Sequence, residues 1–117
     1  MLTVGTIRLK SPFIMAPMAG VTNLPFRLIV KRQGAALVTT EMVSAVGLTL
    51  QDEKTKAYLQ SRPEERPLCV QLFGSAPESM AEAAGTAVEA GADIIDINLG
   101  CPVRKVVKTG AGAALLE

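Results

Sequence analysis

The residues best suited to chemistry lie together in Asp96-Ile97-Asn98-Leu99-Gly100-Cys101-Pro102. The run over 92–98 is aliphatic enough for a buried β-strand. Alternation along it puts Ile94, Asp96 and Asn98 on one face and Asp93, Ile95 and Ile97 on the other. Two polar side chains on one face of such a strand are costly to bury without partners or work to do. Gly100 permits a tight turn and Pro102 stops the strand. Cys101 is left just past the strand's carboxyl end, where α/β enzymes carry their reactive groups. The plainer alternative is that Asp96 and Asn98 tie down a loop around an inert, apolar cysteine. Further polar or adaptable residues follow earlier apolar runs: Met18, Glu41 and Gln71.

Composition narrows the function classes. The 117 residues amount to one domain at most, and 49% hydrophobic with 20% charged residues is the make-up of a soluble globular protein. A net charge of +1 gives no strong pull toward nucleic acid or membrane. Three Phe, one Tyr and no Trp leave few rings for base stacking. No histidine is present, so a metal site lacks its usual ligands and none is expected. Two cysteines without paired spacing point to a reducing compartment. There is no signal-type N-terminus and nothing near the roughly 20 apolar residues of a membrane span, so the expected address is cytoplasmic.

The elements that must position these residues alternate between strand and helix. Residues 2–9, with Gly5 central, read as a hairpin too small to stand unless it packs on something larger. Residues 12–16 form a first apolar run closed by Pro17. Thr22 or Asn23 then caps a helix with Pro25 in its first turn, a Phe26-Ile29-Val30-Gln33 stripe and a stop at Gly34. A second strand over 35–39 leads into Thr40-Glu41-Met42. A weakly helical piece over 42–50 precedes a charged segment, 52–60, anchored by Tyr58 and Leu59, and a polar linker over 62–67. The third strand spans 68–73. Ser75-Ala76-Pro77-Glu78 has the pattern of a capping box, opening a helix whose inner face is Met80, Ala84, Ala87 and Val88 and whose end is Gly91. After the fourth strand, Arg104, Lys105 and Lys108 lie on a loop, and 110–117 begins another helix.

Repeated strand–helix units imply parallel strands with right-handed crossovers, either an open doubly wound sheet or part of a (β/α) barrel. No Gly-x-Gly-x-x-Gly follows the first strand. Candidate groups after successive strands are a barrel habit, and four units are half of a fold that takes about 250 residues. The expected fold is therefore α/β: residues 1–117 as the N-terminal half of a (β/α)8 TIM barrel, truncated, with a short N-terminal hairpin.

Four stretches in order carry a resemblance to a known family: Ala16-Pro17-Met18-Ala19-Gly20-Val21-Thr22, Thr40-Glu41-Met42, Val70-Gln71-Leu72-Phe73-Gly74 and Asp96-Ile97-Asn98-Leu99-Gly100-Cys101-Pro102. Together they resemble the motif set of the bacterial tRNA-dihydrouridine synthases, and the tail over 105–116 resembles that family's continuation. The resemblance implies an enzyme that uses FMN and NADPH to reduce the C5–C6 double bond of a tRNA uridine. The flavin-phosphate loops and a helical RNA-binding domain would then lie beyond Glu117, and tRNA would be bound through the full-length protein. Hydride goes to C6 of the uracil and a proton to C5, a step that suits a thiol with a reference pKa of about 8.5.

On that resemblance Cys101 is the proton donor and Asn98 holds the uracil edge. Ala16, Pro17 and Met18 line the flavin ring, and Gln71 hydrogen-bonds its polar edge. Leucine, similar in volume, is expected to replace Gln71 without loss of fold. Asp96 orients the site or is structural, Cys69 is plain core, and the basic run at Arg104 approaches RNA or is merely solvated. Two other readings are another FMN-barrel oxidoreductase, dihydroorotate-dehydrogenase-like, and a catalytically silent fragment that self-associates through open strand edges.

Overall fold

The computed structural model describes residues 1–117. The chain opens with an antiparallel hairpin, β1 (Leu2–Val4) and β2 (Ile7–Leu9), turned by Gly5 at φ +58°. Helix α1 (Leu24–Arg32) follows, capped as expected by Asn23, whose side chain accepts from the Phe26 N–H. Next come two short strands, β3 (Val38–Thr39) and β4 (Val43–Ser44), and two short helices, α2 (Ala45–Thr49) and α3 (Glu53–Ala57). A 3₁₀ turn at Pro63–Glu65 leads into β5 (Leu68–Phe73), α4 (Pro77–Glu89), β6 (Ile94–Ile97) and α5 (Arg104–Val107), and a second 3₁₀ turn spans Gly112–Leu116. No helix is long and apolar enough to cross a membrane.

Strand β5 is the axis of a parallel sheet. Leu72 pairs with Val43 and with Ile97, and Cys69 pairs with Thr39 and with Ile94. Strands β3 and β4 are therefore two pieces of one interrupted strand on one edge of β5, with β6 on the other. The stretch expected as a first full strand is reduced to a single parallel bridge, Ile14 to Leu37, and its Phe13 and Ile14 are 71% and 45% exposed. Strand order thus follows chain order. Right-handed crossovers that always step the same way put every helix on one face of a sheet, and no doubly wound reversal occurs within these residues. Leu68, Val70 and Leu72 pack on that face with Ala83 and Ala87 of α4 and Leu48 of α2. The opposite face carries Cys69 and Gln71. Its lower end is covered by the hairpin, whose Leu9 is buried against Ala36, Leu37 and Cys69. The sheet is open; no barrel closes within these residues.

Several local expectations are corrected. Helix α1 leaves Ile29 and Gln33 exposed and buries Arg27, because that guanidinium has a partner. The expected polar linker supplies it: Glu65 on the 3₁₀ turn is fully buried, accepting from Arg27 Nε at 2.9 Å and Nη2 at 3.0 Å. The piece expected to be weakly helical begins as strand β4. Of the two anchors, Leu59 is buried and Tyr58 is exposed. The capping box does not form. Proline's fixed φ suits the first helical position, so Pro77 takes it and Ala76 becomes the N-cap. Ser75 Oγ instead donates to the Thr109 carbonyl at 2.9 Å. In α4 Ala83 faces inward and Val88 outward. The Arg104 run is helical rather than a loop, with Val106 turned into the protein.

Arg27→Met should lower the unfolding free energy of the intact protein by about 3–5 kcal/mol, since it strands a buried carboxylate. Arg27→Met/Glu65→Leu should recover most of that loss in urea titrations; a double variant no better than the single would refute a pairing role. A second ion pair latches the amino end of β5. Arg66 donates to both Asp93 oxygens, at 3.1 and 2.6 Å, and the Leu68 N–H adds a third bond at 2.8 Å. These bonds hold the Asp93 carboxyl below the usual carboxylate range. A carboxyl depressed in the folded state stabilises fully above its unfolded pKa of about 3.9 and loses that contribution as pH falls through the folded value. The stability gap between wild type and Asp93→Asn should therefore be constant above about pH 5 and shrink below about pH 4. A gap independent of pH would remove the latch.

Candidate active site

The site is built on Gln71, which points from β5 onto the helix-free face and is only 7% exposed. Parallel register sets it beside Asp96 of β6, and its Nε2 donates to Asp96 Oδ2 at 2.6 Å. One step further along the same face, Asn98 Nδ2 donates to Gln71 Oε1 at 3.1 Å. Asn98 Oδ1 accepts from the Gly100 N–H at 3.1 Å and the Cys101 N–H at 2.9 Å. The face expected to carry Ile94, Asp96 and Asn98 is thus the one observed, and the costly polar groups on it satisfy one another.

Cys101 is held from both sides. Its carbonyl accepts from the Ala113 N–H at 3.0 Å. Gly112, at φ +60°, makes that approach feasible, because a β-carbon there would stand 2.6 Å from the Cys101 oxygen. The Cys101 thiol is half-buried. Cys69 lies on the same face two residues before Gln71, and burial, with the Asp96 charge adding to it, pushes that thiol up to about 11. Cys69 therefore stays protonated and inert in the core, as expected of it.

Ala16, Pro17 and Met18 sit past the carboxyl end of the first stretch, on the opposite edge. The Met18 carbonyl accepts from the Val21 and Thr22 N–H groups, both at 3.0 Å, and Thr22 Oγ1 accepts from the Met18 N–H at 3.2 Å. Glu41 accepts from the Gly20 N–H. Arg27 Nη1 donates to the Thr22 carbonyl at 2.9 Å, so the buried ion pair also fixes this loop. Three strand spacings, roughly 14 Å, separate this edge from β6, with Gln71 between. A cleft of about 540 Å³ opens alongside, lined in part by Gly20, Glu41, Met42, Phe73 and Lys105.

The structure joins Gln71, Asn98 and the Cys101 main chain in one network and leaves the Met18 loop apart from it. Sequence reasoning missed Arg27, Glu65 and Gly112. An arginine amid Phe26, Leu28, Ile29 and Val30 was a visible signal, but its partner 38 residues away was not. The residues fit a flat, polar-edged ring such as a flavin. Met18 is 42% exposed. The Ala16 amide makes no bond within the chain. Gln71 keeps one Nε2 proton and one Oε1 lone pair. Asn98 keeps only a donor, loosely facing Met42 Sδ at 3.8 Å, because its acceptor serves the Gly100 turn.

This network adds a cost to one expected substitution. Gln71→Leu keeps the volume but strips Asp96 of its donor and Asn98 of its acceptor. A fully buried group left unsatisfied costs about 1–3 kcal/mol, and Asp96 and Asn98 are half-buried, so stability should fall by about 1 kcal/mol, read by urea unfolding without ligand. Unchanged stability would show that water replaces the amide.

The sequence model described as dihydrouridine synthase (Dus) matches residues 14–117. The tRNA-dihydrouridine synthase B of Vibrio parahaemolyticus is 46% identical over 114 residues, which are 97% of this chain and 35% of that protein. The Pseudomonas aeruginosa tRNA-dihydrouridine synthase B is 45% identical over 114 residues, 97% of this chain and 34% of that protein. A probable tRNA-dihydrouridine synthase of Rickettsia conorii is 44% identical over 118 residues, 100% of this chain and 36% of that protein. The chain spans about a third of the length of these relatives.

Proposed function

Because the chain belongs to the dihydrouridine synthase family, we propose that it contributes the proton-donating half of an active site that reduces uridine in tRNA to 5,6-dihydrouridine, with FMN as carrier and NADPH as reductant. Cys101, clamped through both its N–H and its C=O beside Asn98, is the observation that carries this reading. FMN, when bound, supplies the hydride that adds at C6 of the uracil. Ala16 and Met18 offer the ring a free main-chain amide and a polarizable thioether, and Gln71 offers one donor and one acceptor. The Asn98 amide proton holds a uracil carbonyl, and the Cys101 thiol gives its proton to C5, leaving a thiolate that solvent reprotonates. The addition then balances as one hydride and one proton across the double bond.

The reading extends to the fold and the setting. A parallel sheet in chain order with helices on one face alone suits the N-terminal half of a (β/α)8 barrel, whose remaining strands would cover the other face. Two unpaired cysteines suit the reducing cytoplasm.

In the intact protein, Cys101→Ala should leave NADPH-driven flavin reduction nearly unchanged and slow uridine reduction by about 10²–10⁴, the usual worth of a general acid. Unchanged dihydrouridine formation in a single-turnover assay would remove Cys101 from the chemistry.

A further inference from the structure

Two side chains, Gln71 and Asn98, link the Asp96 carboxylate to the Cys101 backbone, and each link has a direction. A carboxylate only accepts, so Gln71 must turn its NH₂ toward Asp96 and its carbonyl toward Asn98. A carbonyl in that place demands a donor, so Asn98 presents its NH₂ there and is left with its carbonyl facing Gly100 and Cys101. We infer that Asp96 is a positioning residue: its charge fixes the sense of the Gln71 and Asn98 amides and so holds the loop that carries Cys101. The inference rests on the proposed role of Cys101 for its catalytic meaning, but the loop geometry stands without it.

Position 96 sets the sense because its carboxylate is acceptor-only, whereas the amides of Gln71 and Asn98 can each be turned either way. With an amide at 96 the sense is held from the loop end only, by the Gly100 and Cys101 N–H groups, and the row can run backwards at the cost of those two bonds. The new NH₂ would donate to Gln71 Oε1, the Gln71 NH₂ would face Asn98, and Asn98 would turn its carbonyl away from the Cys101 N–H. A carboxylate moved to position 71 restores a single sense, since it must accept from both neighbours and again forces the Asn98 carbonyl toward the loop. The order of the pair is therefore exchangeable, and its being acceptor-only is not.

Alkylation of Cys101 by iodoacetamide in the intact protein, mapped by mass spectrometry across pH, reads the loop without requiring turnover. Asp96→Asn should raise the Cys101 rate about fivefold, the factor one net hydrogen bond is worth. Asp96→Asn/Gln71→Glu should return it to near the wild-type rate, with Cys69 unlabelled throughout. A rate unchanged in the single variant, or a double variant as fast as the single or faster, overturns the inference, since independent structural losses add rather than cancel. If the single variant does not fold, hydrogen exchange in the wild type decides. The Cys101 N–H should be protected about tenfold or more relative to a free loop, and exchange at the free-loop rate overturns the inference. Failure of uridine reduction in Cys101→Ala with this pattern intact supports both readings. Normal reduction in Cys101→Ala with the pattern intact removes the catalytic role and leaves the positioning role standing.

Discussion

Burying polar side chains on a parallel strand is the constraint around which this molecule is arranged. Strand β5 has no solvated face, so Gln71 needs partners on the neighbouring strand, and register alone brings Asp96 alongside. The row of bonds then runs on through Asn98 to the turn at Gly100. The arrangement makes one residue serve two ends: it closes the interior of the sheet and it aims a loop. Apolar neighbours on the alternate positions, Val70 and Leu72, keep the strand fixed against α4, which is why the polar row does not wander.

A second buried pair plays a comparable part across the molecule. Arg27 and Glu65 come from a helix and a 3₁₀ turn that share no strand, and Arg27 also gathers the Thr22 and Gln60 carbonyls. Its fork of donors suits this work in a way that a lysine's single nitrogen would not. The loop after the first stretch and the loop after β6 are thus each tied to a carboxylate, one through the Arg27 guanidinium and the other through the Gln71 and Asn98 amides. Both loops lie at the carboxyl ends of the strands, the end where parallel α/β folds place their ligands.

Much of this was readable from residue order. The strand over 68–73, the hairpin, the Asn23 cap and the shared face of Asp96 and Asn98 all follow from period, turn residues and chain alternation. What escaped was pairing at a distance. Nothing local shows that Glu65 in a proline-flanked acidic run is buried, because its burial depends wholly on Arg27. Ser75 illustrates the opposite error: the motif for a capping box is present, but Pro77 claims the first helical position and a distant carbonyl claims the hydroxyl. Ile14 fails for want of a neighbour, since an apolar run becomes a full strand only with hydrogen-bonding partners along its length.

The hairpin has a further meaning. By seating Leu9 against Ala36, Leu37 and Cys69 it stops the amino end of the inner face like a cork. The helix-free face is thereby shut at its amino end and left accessible toward the carboxyl ends of the strands, where Gln71, Asn98 and Cys101 stand. Two three-residue strands far from those side chains thus decide from which end the face can be approached.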